Sequence, residues 1–493
     1  MPDSETNQEI GLDLDPDPGM ATEINAVVAR ARAAQAIYAA YDQAAVDEVV
    51  TAAGWAIVDS DNNQELAELA VADTGLGKVT DKFLKNRRKT IGLLRDLREA
   101  KSVGVIAEYP EKGIIEIARP VGVVGAIVPS TNPAATPINK VINALKGRNA
   151  IILAPSPKGD RTCLRLIELV HAELNRVDAP TDLVQKLPSP VSKAATQHLM
   201  QNVDLIVATG SQNNVRSAYI SGTPTVGVGI GNVVSIIDET ANVARAARKI
   251  VISKSFDNAT SCSSENNLIV VDAQYDAAVS ALIEEGAVLL DQANRARLQQ
   301  QLWQQGHLNQ NLIAREAIEI VALAQLSTET DDATRILLVE ENGVGKQHPP
   351  RLSIWAGEKL CPVLTLYRTA DFESAKQLAR DILDYQGKGH SLSLHSNDPS
   401  RALDLGLNMP VCRIIVNQIH CYATGGSFDN GLPFSLSMGC GSWGKNSISD
   451  NMNYRHYLNT TRIAYRIKAN EPTEQDIFGR YWKQYDITPA TKA

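Results

Sequence analysis

The sequence predicts an α/β protein whose parallel sheets are covered by helices on both faces. The chain has 493 residues, enough for about two to four structural units. Apolar residues make up 44% of it and charged residues 21%, proportions that allow a large buried core. Short runs of β-branched residues alternate with segments of helical periodicity, which is typical of parallel strands joined by helices.

Two long helices are predicted near the start of the chain, after a leader. Residues 1–20 carry six acidic side chains and few apolar ones, so residues 1–21 are predicted to form a flexible leader. From Ala21 to Tyr41, and again around Lys82 to Glu99, apolar residues recur on one helical face. Both segments are expected to be helices that pack on the core.

A hairpin and a set of buried strands follow along the chain. The stretch at 104–118 alternates around a Glu111-Lys112-Gly113 turn and predicts an antiparallel hairpin. Helical segments separate the buried strands, which are therefore expected to be parallel. These strands are predicted at 121–128, 149–154, 203–208, 232–238, 267–272, 335–339 and 411–416.

Composition argues against several classes of partner. Lys and Arg total 48, Asp and Glu total 56, and the net charge is −8 without a dense basic stripe, so nucleic acid is not expected as a partner. The longest apolar stretches, such as 120–129, are shorter than the ~20 residues that cross a bilayer. The polar start MPDSETNQEI lacks the apolar segment of a signal peptide, and six scattered cysteines form no CxxC pair. A cytoplasmic location without membrane association is therefore expected.

Several common motifs are incomplete or absent. Residues 439–446, GCGSWGKN, have the spacing of a phosphate loop, but Asn446 replaces the magnesium-binding Ser or Thr, so a structural loop is predicted. Residues 227–231, GVGIG, resemble a dinucleotide loop, yet the following NVVSIID indicates a strand instead of a helix. No GxSxG or HExxH motif occurs, and no metal site is predicted.

The segment 253–272, SKSFDNATSCSSENNLIVVD, is the most informative for chemistry. Cys262 lies in it among small polar residues, between a helical stretch and a strand. An exposed thiol there can act as a nucleophile, with backbone N–H groups directed at the group that it attacks. A buried cysteine that fills the core is the alternative, although the polar neighbours argue against burial.

Five segments occur in the order and spacing of one enzyme superfamily. They are PVGVVGAIVPSTNPAATP (120–137), ATGS (208–211), GVGIGN (227–232), FDNATSCSSE (256–265) and EKLCPVLTLYR (358–368). By these motifs, residues 22–485 resemble the CoA-acylating branch of the aldehyde dehydrogenase superfamily, in the form of a stand-alone aldehyde enzyme. Within that branch, NRRKTIGLLRDLREAKSVGVI and FDNATSCSSENN are most similar to acylating sulfoacetaldehyde dehydrogenases.

The resemblance implies an aldehyde dehydrogenase fold, assembled as a homodimer or homotetramer. A Rossmann-like cofactor domain is expected to comprise residues 22–104 and 121–254, and an α/β catalytic domain residues 255–437. A β oligomerisation arm is expected at 105–120 and 438–468, and a C-terminal tail at 469–493.

The resemblance also assigns roles to particular residues. Cys262 matches the nucleophile, whose thiolate adds to the aldehyde carbon. Asn132 matches the side-chain donor that stabilises the oxyanion with the Cys262 backbone N–H, or alternatively caps the helix that follows it. Glu358 matches the carboxylate that holds the nicotinamide ribose, with a solvated surface Glu as the alternative. Gly210 and Ser211 match the turn and helix start beneath the pyrophosphate, or form an ordinary αβ turn. The residues expected to bind NADP or NAD are Pro129, Ser130, Thr131, Ser156, Lys158, Gly210, Ser211, Val228, Gly229, Glu358 and Leu360.

Two departures from the family pattern bear on the reaction. Val228 stands where hydrolytic members carry the Glu that activates water, so a thioester on the nucleophile is expected to persist until coenzyme A displaces it. Ala154 and Pro157 replace the usual Lys and Glu after the second cofactor strand. Pro157 removes a carboxylate that would repel a 2′-phosphate, and Lys158 and Arg161 follow it, which favours NADP over NAD.

The aldehyde is expected to carry a negative charge, as sulfoacetaldehyde does. Ser261, Ser263 and Ser264 flank the nucleophile and offer hydroxyl donors to sulfonate oxygens. An anion that leaves water also requires a cation. The candidate cations are Lys140, Arg413 and His420. The alternatives are that Lys140 reaches solvent, that the enzyme is a general acetaldehyde or propanal dehydrogenase, and that the protein is a non-catalytic scaffold docking through the helix that begins at Ala21.

Overall fold

Two parallel sheets and two antiparallel sheets, the latter of three and two strands, form the fold in the computed structural model, which describes residues 16–229, 231–341 and 353–488. The α-helices of these residues are α1 Pro18–Tyr38, α2 Gln43–Val58, α3 Ser60–Thr74, α4 Val79–Leu97, α5 Ala135–Lys146, α6 Asp160–Arg176, α7 Lys193–Asn202, α8 Gln212–Ile220, α9 Val243–Ser255, α10 Tyr275–Glu284, α11 Gln292–Leu302, α12 Ala317–Leu323, α13 Phe372–Tyr385, α14 Pro399–Asn408, α15 His420–Ala423 and α16 Glu474–Gln484. The strands are β1 Gly104–Tyr109, β2 Ile114–Pro120, β3 Val123–Val128, β4 Ala150–Pro155, β5 Val184–Lys186, β6 Leu205–Ala208, β7 Thr225–Gly227, β8 Val233–Ile237, β9 Glu265–Val271, β10 Ala287–Leu289, β11 Trp303–Gln304, β12 His307–Leu308, β13 Ile336–Glu340, β14 Val363–Thr369, β15 Leu392–His395, β16 Ile414–Val416 and β17 Leu458–Ala464.

The first parallel sheet has five strands in the order β5-β4-β3-β6-β7. Strands β3 and β4 are buried along their whole length, as expected where helices cover both faces of a sheet. Helices α1, α2, α5 and α6 share one hydrophobic core with this sheet. The loops that follow β3, β4, β6 and β7 meet at its carboxyl edge, which is the usual place for a ligand in such sheets.

The second parallel sheet has seven strands in the order β10-β13-β14-β9-β8-β15-β16. Strand β8 pairs with β9 and β15, so this part of the chain belongs to the second sheet. The predicted domain boundary at 254 therefore does not match the sheets, because the crossover from the first sheet to the second lies between β7 and β8. The loop that holds Cys262 connects α9 to β9, a central strand of the second sheet.

The larger antiparallel sheet has three strands in the order β1-β2-β17, and β11 and β12 form the smaller one. The predicted hairpin is confirmed, with a short helical turn at Pro110–Lys112 and Gly113 in the left-handed region at φ 60°. Strand β17 pairs with β2 across the whole of its length, and all but its first residue are exposed. This sheet comprises the strands that the sequence placed in the arm.

The predicted helices and strands are all present, with ends that shift by a few residues. The two early helices are α1 and α4, and the apolar face of α1, from Ile24 to Tyr38, is buried in the core. That face is therefore not available for docking to a partner. The flexible leader predicted at 1–21 extends too far, because α1 already begins at Pro18, where the Asp17 side chain caps it by accepting from the Gly19 N–H. Residues 1–15 lie outside the described residues. In the described part of the chain, none of the helices has the length and apolar character needed to cross a membrane.

Candidate active site

A cavity of about 510 Å³ lies where the carboxyl edge of the five-stranded sheet meets the Cys262 loop. It collects residues that are far apart in the sequence. The predicted residues that line it are Pro129, Ser130, Thr131, Asn132, Ser156, Gly210, Ser211, Val228, Gly229, Ser261, Cys262, Ser263, Glu358 and Leu360. The predicted residues that do not line it are Lys140, Lys158, Ser264, Arg413 and His420.

Cys262 is half-buried at the wall of this cavity, less exposed than its polar neighbours suggested. The chain reaches it through Asp257, Asn258 and Ala259, whose φ angles of 49°, 52° and 60° are all positive. Such strained backbone is common where a loop must present a reactive group. Burial, followed by the charge of Glu358, raises the pKa of the Cys262 thiol to about 12.

The GVGIG loop supports the backbone of Cys262. A Cβ atom added to Gly231 would lie 1.8 Å from the Cys262 carbonyl oxygen, so only glycine fits there. The Gly229 N–H donates to Asn446 Oδ1 at 3.0 Å, and the Cys440 N–H donates to the same oxygen at 2.9 Å. The segment 439–446 is thus a structural loop that holds the GVGIG loop in place, as the sequence predicted.

Asn132 presents its side-chain amide to the cavity. Its Oδ1 accepts a hydrogen bond from Lys85 Nζ at 2.8 Å. Because a lysine only donates, this contact identifies the oxygen and turns the amide N–H groups away from Lys85. The side chain does not cap α5, whose N-cap is Ala134 without a side-chain bond. Nδ2 donates one long hydrogen bond, to the Thr131 hydroxyl at 3.4 Å, which leaves its second N–H for a ligand in the cavity.

A buried cluster of charges fixes Lys85. Asp257 Oδ2 lies 2.5 Å from Lys85 Nζ and 3.2 Å from Lys82 Nζ, and it also accepts from the Thr260 hydroxyl at 2.7 Å. Burial raises the pKa of the Asp257 carboxyl, but the two ammonium groups outweigh burial and hold that pKa below its usual value. Burial lowers the pKa of Lys82 to about 8.

This charged cluster is not evident from the sequence. Lys82 and Lys85 are one helical turn apart on α4, and they share a face with apolar residues. Two lysines on an apolar face are the one feature of the sequence that could have indicated a buried charge. Asp257 lies more than 170 positions along the chain, so nothing local connects it to them. Only the packing of α4 against the Cys262 loop brings these groups together.

Glu358 is half-buried at the cavity, so it is not a solvated surface residue. Burial raises the pKa of its carboxyl to about 8. Its backbone N–H donates to Gln386 Oε1 at 2.8 Å, which fixes this turn. Among the described residues, Glu358 is the one carboxylate that lines the cavity. Val228, at the position where hydrolytic aldehyde dehydrogenases carry the water-activating Glu, lines it with an apolar side chain.

The start of α8 also faces the cavity. Ser211 caps this helix by accepting from the Asn214 N–H at 3.3 Å, and Gly210 precedes it at φ 156°. A helix N-terminus with free N–H groups suits a phosphate. Lys158 is exposed outside the cavity, and the Arg161 guanidinium pairs with Asp73 at 2.8 Å.

The sequence model of one family, the aldehyde dehydrogenase family, matches residues 16–431. The chain belongs to this family. The resemblance seen in the five sequence motifs is confirmed, and so is the α/β aldehyde dehydrogenase fold.

Curated relatives and solved structures narrow the branch of the aldehyde dehydrogenase family. The chain is 56% identical to the acylating sulfoacetaldehyde dehydrogenase of Cupriavidus necator, over 96% of this chain and 94% of that protein. It is 41% identical to the enzyme of the same name from Bilophila wadsworthia, over 92% and 97% of the two chains. The structure of an acetylating aldehyde dehydrogenase from Geobacillus thermoglucosidasius matches with a TM-score of 0.86 and 33% identity, over 92% and 99% of the chains.

The cations predicted to hold the charged end of the aldehyde are not at the cavity of this aldehyde dehydrogenase. Lys140 is fully buried, and its Nζ donates to the Ile127 and Val207 carbonyl oxygens at 2.5 and 3.0 Å. Helix α5 lies against the five-stranded sheet and is buried throughout, so Lys140 reaches neither the substrate nor solvent. Burial lowers its pKa to about 7.

Arg413 and His420 are also occupied by structural bonds. The Arg413 guanidinium donates to Asn451 Oδ1 at 2.6 Å and to the carbonyl oxygens of His390, Gly439 and Ser449. His420 Nδ1 donates to the Ser263 carbonyl oxygen at 2.8 Å, and burial lowers the pKa of its ring to about 4, so it is neutral. Neither residue lines the cavity, since the Arg413 donors are used in these bonds and the neutral His420 ring bonds to the nucleophile loop.

Of the predicted serines, two reach the cavity. Ser261 and Ser263 line it, and their hydroxyls are hydrogen-bonded to each other at 2.7 Å. The Ser264 hydroxyl is buried away from the cavity and has no partner in the described residues. Among the described residues, the cations that line the cavity are Lys85, Arg88 and Lys89, all from α4.

Proposed function

We propose that the protein is a CoA-acylating aldehyde dehydrogenase that oxidises sulfoacetaldehyde to its CoA thioester with reduction of NAD(P). The observation that carries this proposal is the meeting of the Cys262 thiol and the Asn132 amide in one cavity, beside Val228 in the position of a water-activating Glu. The choice of sulfoacetaldehyde is supported by the name of the 56% identical relative.

Cys262 and Asn132 perform the carbon chemistry. The Cys262 thiolate adds to the aldehyde carbon, and the carbonyl oxygen becomes an oxyanion that accepts from the Asn132 amide and the Cys262 backbone N–H. The hemithioacetal on Cys262 becomes a thioester by loss of a hydride, for which NAD(P), when bound, would supply the acceptor. The thiolate of coenzyme A then attacks the thioester carbon, the bond to the Cys262 sulfur breaks, and the acyl-CoA leaves.

The residues at the cavity fit a dinucleotide. The first turn of α8 offers backbone N–H groups to a pyrophosphate, and Ser130, Thr131 and Ser156 offer hydroxyls. Glu358 lines the same cavity, which supports the proposal that its carboxylate, when ionised, accepts from ribose hydroxyls. The exposed Lys158 is near the end of β4, and its charge favours a cofactor with a 2′-phosphate.

Transfer to coenzyme A follows from the lack of a general base for water. Hydrolysis of a thioester at neutral pH needs a group that removes a proton from water. Val228 cannot do so, and the pKa of Glu358 near 8 leaves that carboxyl mostly protonated at neutral pH. A thiol of coenzyme A ionises more readily than water and resolves the thioester without such a base.

We further propose that the chain forms a homodimer or homotetramer through the arm. Strand β17 is exposed, and large apolar side chains follow it at Tyr465, Ile467 and Phe478. Such a patch indicates an interface.

A cytoplasmic location is supported by the six cysteines, all of which are free. Because the chain crosses from the first parallel sheet to the second between β7 and β8, we also propose that the cofactor domain ends there and that the catalytic domain begins with β8.

A substrate panel tests the proposed function. The protein is mixed with coenzyme A and either NAD or NADP, and cofactor reduction is followed at 340 nm with sulfoacetaldehyde, acetaldehyde and propanal. We expect the highest kcat/KM with sulfoacetaldehyde and NADP, because a site that binds a charged group discriminates against substrates that lack it. Equal kcat/KM for acetaldehyde or propanal would instead identify a general short-chain acylating enzyme, and a lack of reduction with every aldehyde would favour the scaffold.

A further inference from the structure

In the part of the chain that the structure describes, one face of α4 supplies the basic side chains at the active-site cavity. Lys85, Arg88 and Lys89 lie on this face at the i, i+3 and i+4 spacing, and all of them line the cavity. An anionic substrate needs at least one of these cations to be free to bind it, because an anion buried without a partner is costly.

The two lysines are already used by the protein. Lys85 Nζ binds the buried Asp257 carboxylate at 2.5 Å and Asn132 Oδ1 at 2.8 Å. Lys89 Nζ donates to the carbonyl oxygens of Tyr422, Gly425 and Gly426 at 3.2, 2.8 and 3.1 Å, which uses its three donors. Neither ammonium group can turn to a ligand without breaking these bonds.

Arg88 differs from both lysines because its guanidinium is largely unpaired. The one hydrogen bond that it donates within the described residues goes from Nη2 to the Ser427 hydroxyl at 2.7 Å. Its Nε is buried and has no hydrogen-bond partner, and no described carboxylate forms an ion pair with it. A guanidinium stays charged at any physiological pH and carries five N–H donors, so most of the donors of Arg88 are unused.

Aromatic rings fix the orientation of this guanidinium. The Arg88 Cζ atom lies 5.2 Å from the centre of the Tyr422 ring and 5.2 Å from that of Phe428. Stacking of this kind holds the plane of an arginine and lowers the entropy that it loses on binding a ligand. Arg88 is therefore prepared for binding before a ligand arrives.

The segment 420–428 places Arg88 at the same wall as the nucleophile loop. His420, at one end of this segment, donates to the Ser263 carbonyl oxygen next to Cys262, while Tyr422, Ser427 and Phe428 contact Arg88. Most of the residues proposed to bind the cofactor come instead from the carboxyl edge of the five-stranded sheet, and Glu358 and Leu360 come from the turn before β14. The free cation thus belongs to the aldehyde side of the cavity.

We infer that Arg88 binds the sulfonate of the substrate through its unpaired N–H groups, an inference that rests on the proposed function. A planar guanidinium presents parallel N–H groups that match two oxygens of a sulfonate, as they match two oxygens of a phosphate. Arg88 then takes the role that the sequence assigned to Lys140, Arg413 or His420.

Substitution of Arg88 tests the inference, with Arg87→Gln as the matched control. Arg87 is the exposed neighbour on α4 and does not line the cavity. The kcat/KM values for sulfoacetaldehyde and propanal are measured at saturating coenzyme A and cofactor. We expect Arg88→Gln to lower the ratio of sulfoacetaldehyde to propanal kcat/KM by about 100-fold, mainly through KM for sulfoacetaldehyde. Arg88→Lys should lower it by about tenfold, because the charge remains and the fork is lost, and Arg87→Gln should leave it within about twofold.

Two further measurements separate the outcomes. Ethanesulfonate, which cannot react, should compete with sulfoacetaldehyde in the natural protein and bind about 100-fold more weakly to the Arg88→Gln variant. Thermal unfolding shows whether that variant is folded. If the natural protein does not prefer sulfoacetaldehyde to propanal, the proposed function fails whatever Arg88 does. If the natural protein does prefer sulfoacetaldehyde, three results for Arg88→Gln would overturn the role of Arg88. They are an equal loss of kcat/KM for both aldehydes, unchanged binding of ethanesulfonate, and a rise that is confined to the KM for coenzyme A.

Discussion

Replacement of Lys85 by Met tests whether this lysine orients the Asn132 amide for catalysis. Methionine keeps most of the side-chain length but donates no hydrogen bond. The bond from Lys85 Nζ to Asn132 Oδ1, 2.8 Å long, fixes which end of the amide faces the cavity. Without it, the amide can present its oxygen to the developing oxyanion, which would repel that charge.

The expected loss follows from what each contact contributes. Removing an oxyanion donor altogether lowers kcat by about 10²- to 10³-fold. Lys85 sets only the orientation of the donor, so we expect a loss of about 10- to 50-fold in kcat and less than about threefold in the KM for the aldehyde. Asp257 keeps Lys82 at 3.2 Å and the Thr260 hydroxyl at 2.7 Å, so its charge stays paired. The free energy of unfolding should therefore fall by about 1.5–3 kcal/mol, the contribution of one hydrogen bond to a charged group.

Steady-state kinetics at saturating coenzyme A measure the effect, with Lys82→Met as the matched control. Lys82 binds the same Asp257 oxygen but donates to the Thr131 carbonyl oxygen at 3.1 Å instead of to Asn132. Both variants should lose similar stability in urea unfolding, whereas only Lys85→Met should lose kcat. Alkylation of Cys262 by iodoacetamide forms no oxyanion and should be equally fast in Lys85→Met and in the natural protein.

A double variant decides whether Lys85 acts through Asn132. If it does, Lys85→Met should cause no further loss of kcat in an Asn132→Ala background, because the amide that it orients is gone. An additive loss in the double variant, or an equal loss of kcat in Lys82→Met, would refute the positioning role of Lys85.

Four other predictions concern Cys262 and its surroundings. Cys262→Ala should abolish turnover in the 340 nm assay and keep cofactor binding. Cys361 is buried and does not line the cavity, so Cys361→Ala should retain most of the activity. Substantial turnover by the Cys262 variant would contradict the mechanism. Without coenzyme A, one equivalent of reduced cofactor per active site should form rapidly and then stop, since Val228 cannot activate water; sustained turnover would mean that hydrolysis occurs. Without cofactor, iodoacetamide should alkylate Cys262 about tenfold faster per pH unit between about pH 7 and 10, because the thiol pKa is about 12. Glu358→Gln should speed that reaction only above about pH 8, where the Glu358 carboxylate is ionised and opposes the thiolate, and a plateau of the natural protein below about pH 9 would contradict the raised pKa.

The sequence alone determined the elements of the fold and the position of the nucleophile. Runs such as 121–128 predicted β3 because a strand buried on both faces is apolar along its whole length. The hairpin at 104–118 was predictable because its alternation and its turn are local features. The small polar residues around Cys262, with four other motifs in order, identified the family.

The tertiary structure decided which side chains reach the cavity. The spacing of charges along a helix indicates which residues share a face, but it does not tell what packs on that face. Lys140 therefore seemed free for a substrate, whereas the carbonyl groups of β3 and β6 hold it. Lys85 and Arg88, one turn apart on α4, meet different surroundings: a buried carboxylate binds the first, and two aromatic rings leave the N–H groups of the second unpaired. Their partners come from distant parts of the chain, and only the packing of α4 against the catalytic loops brings them into contact.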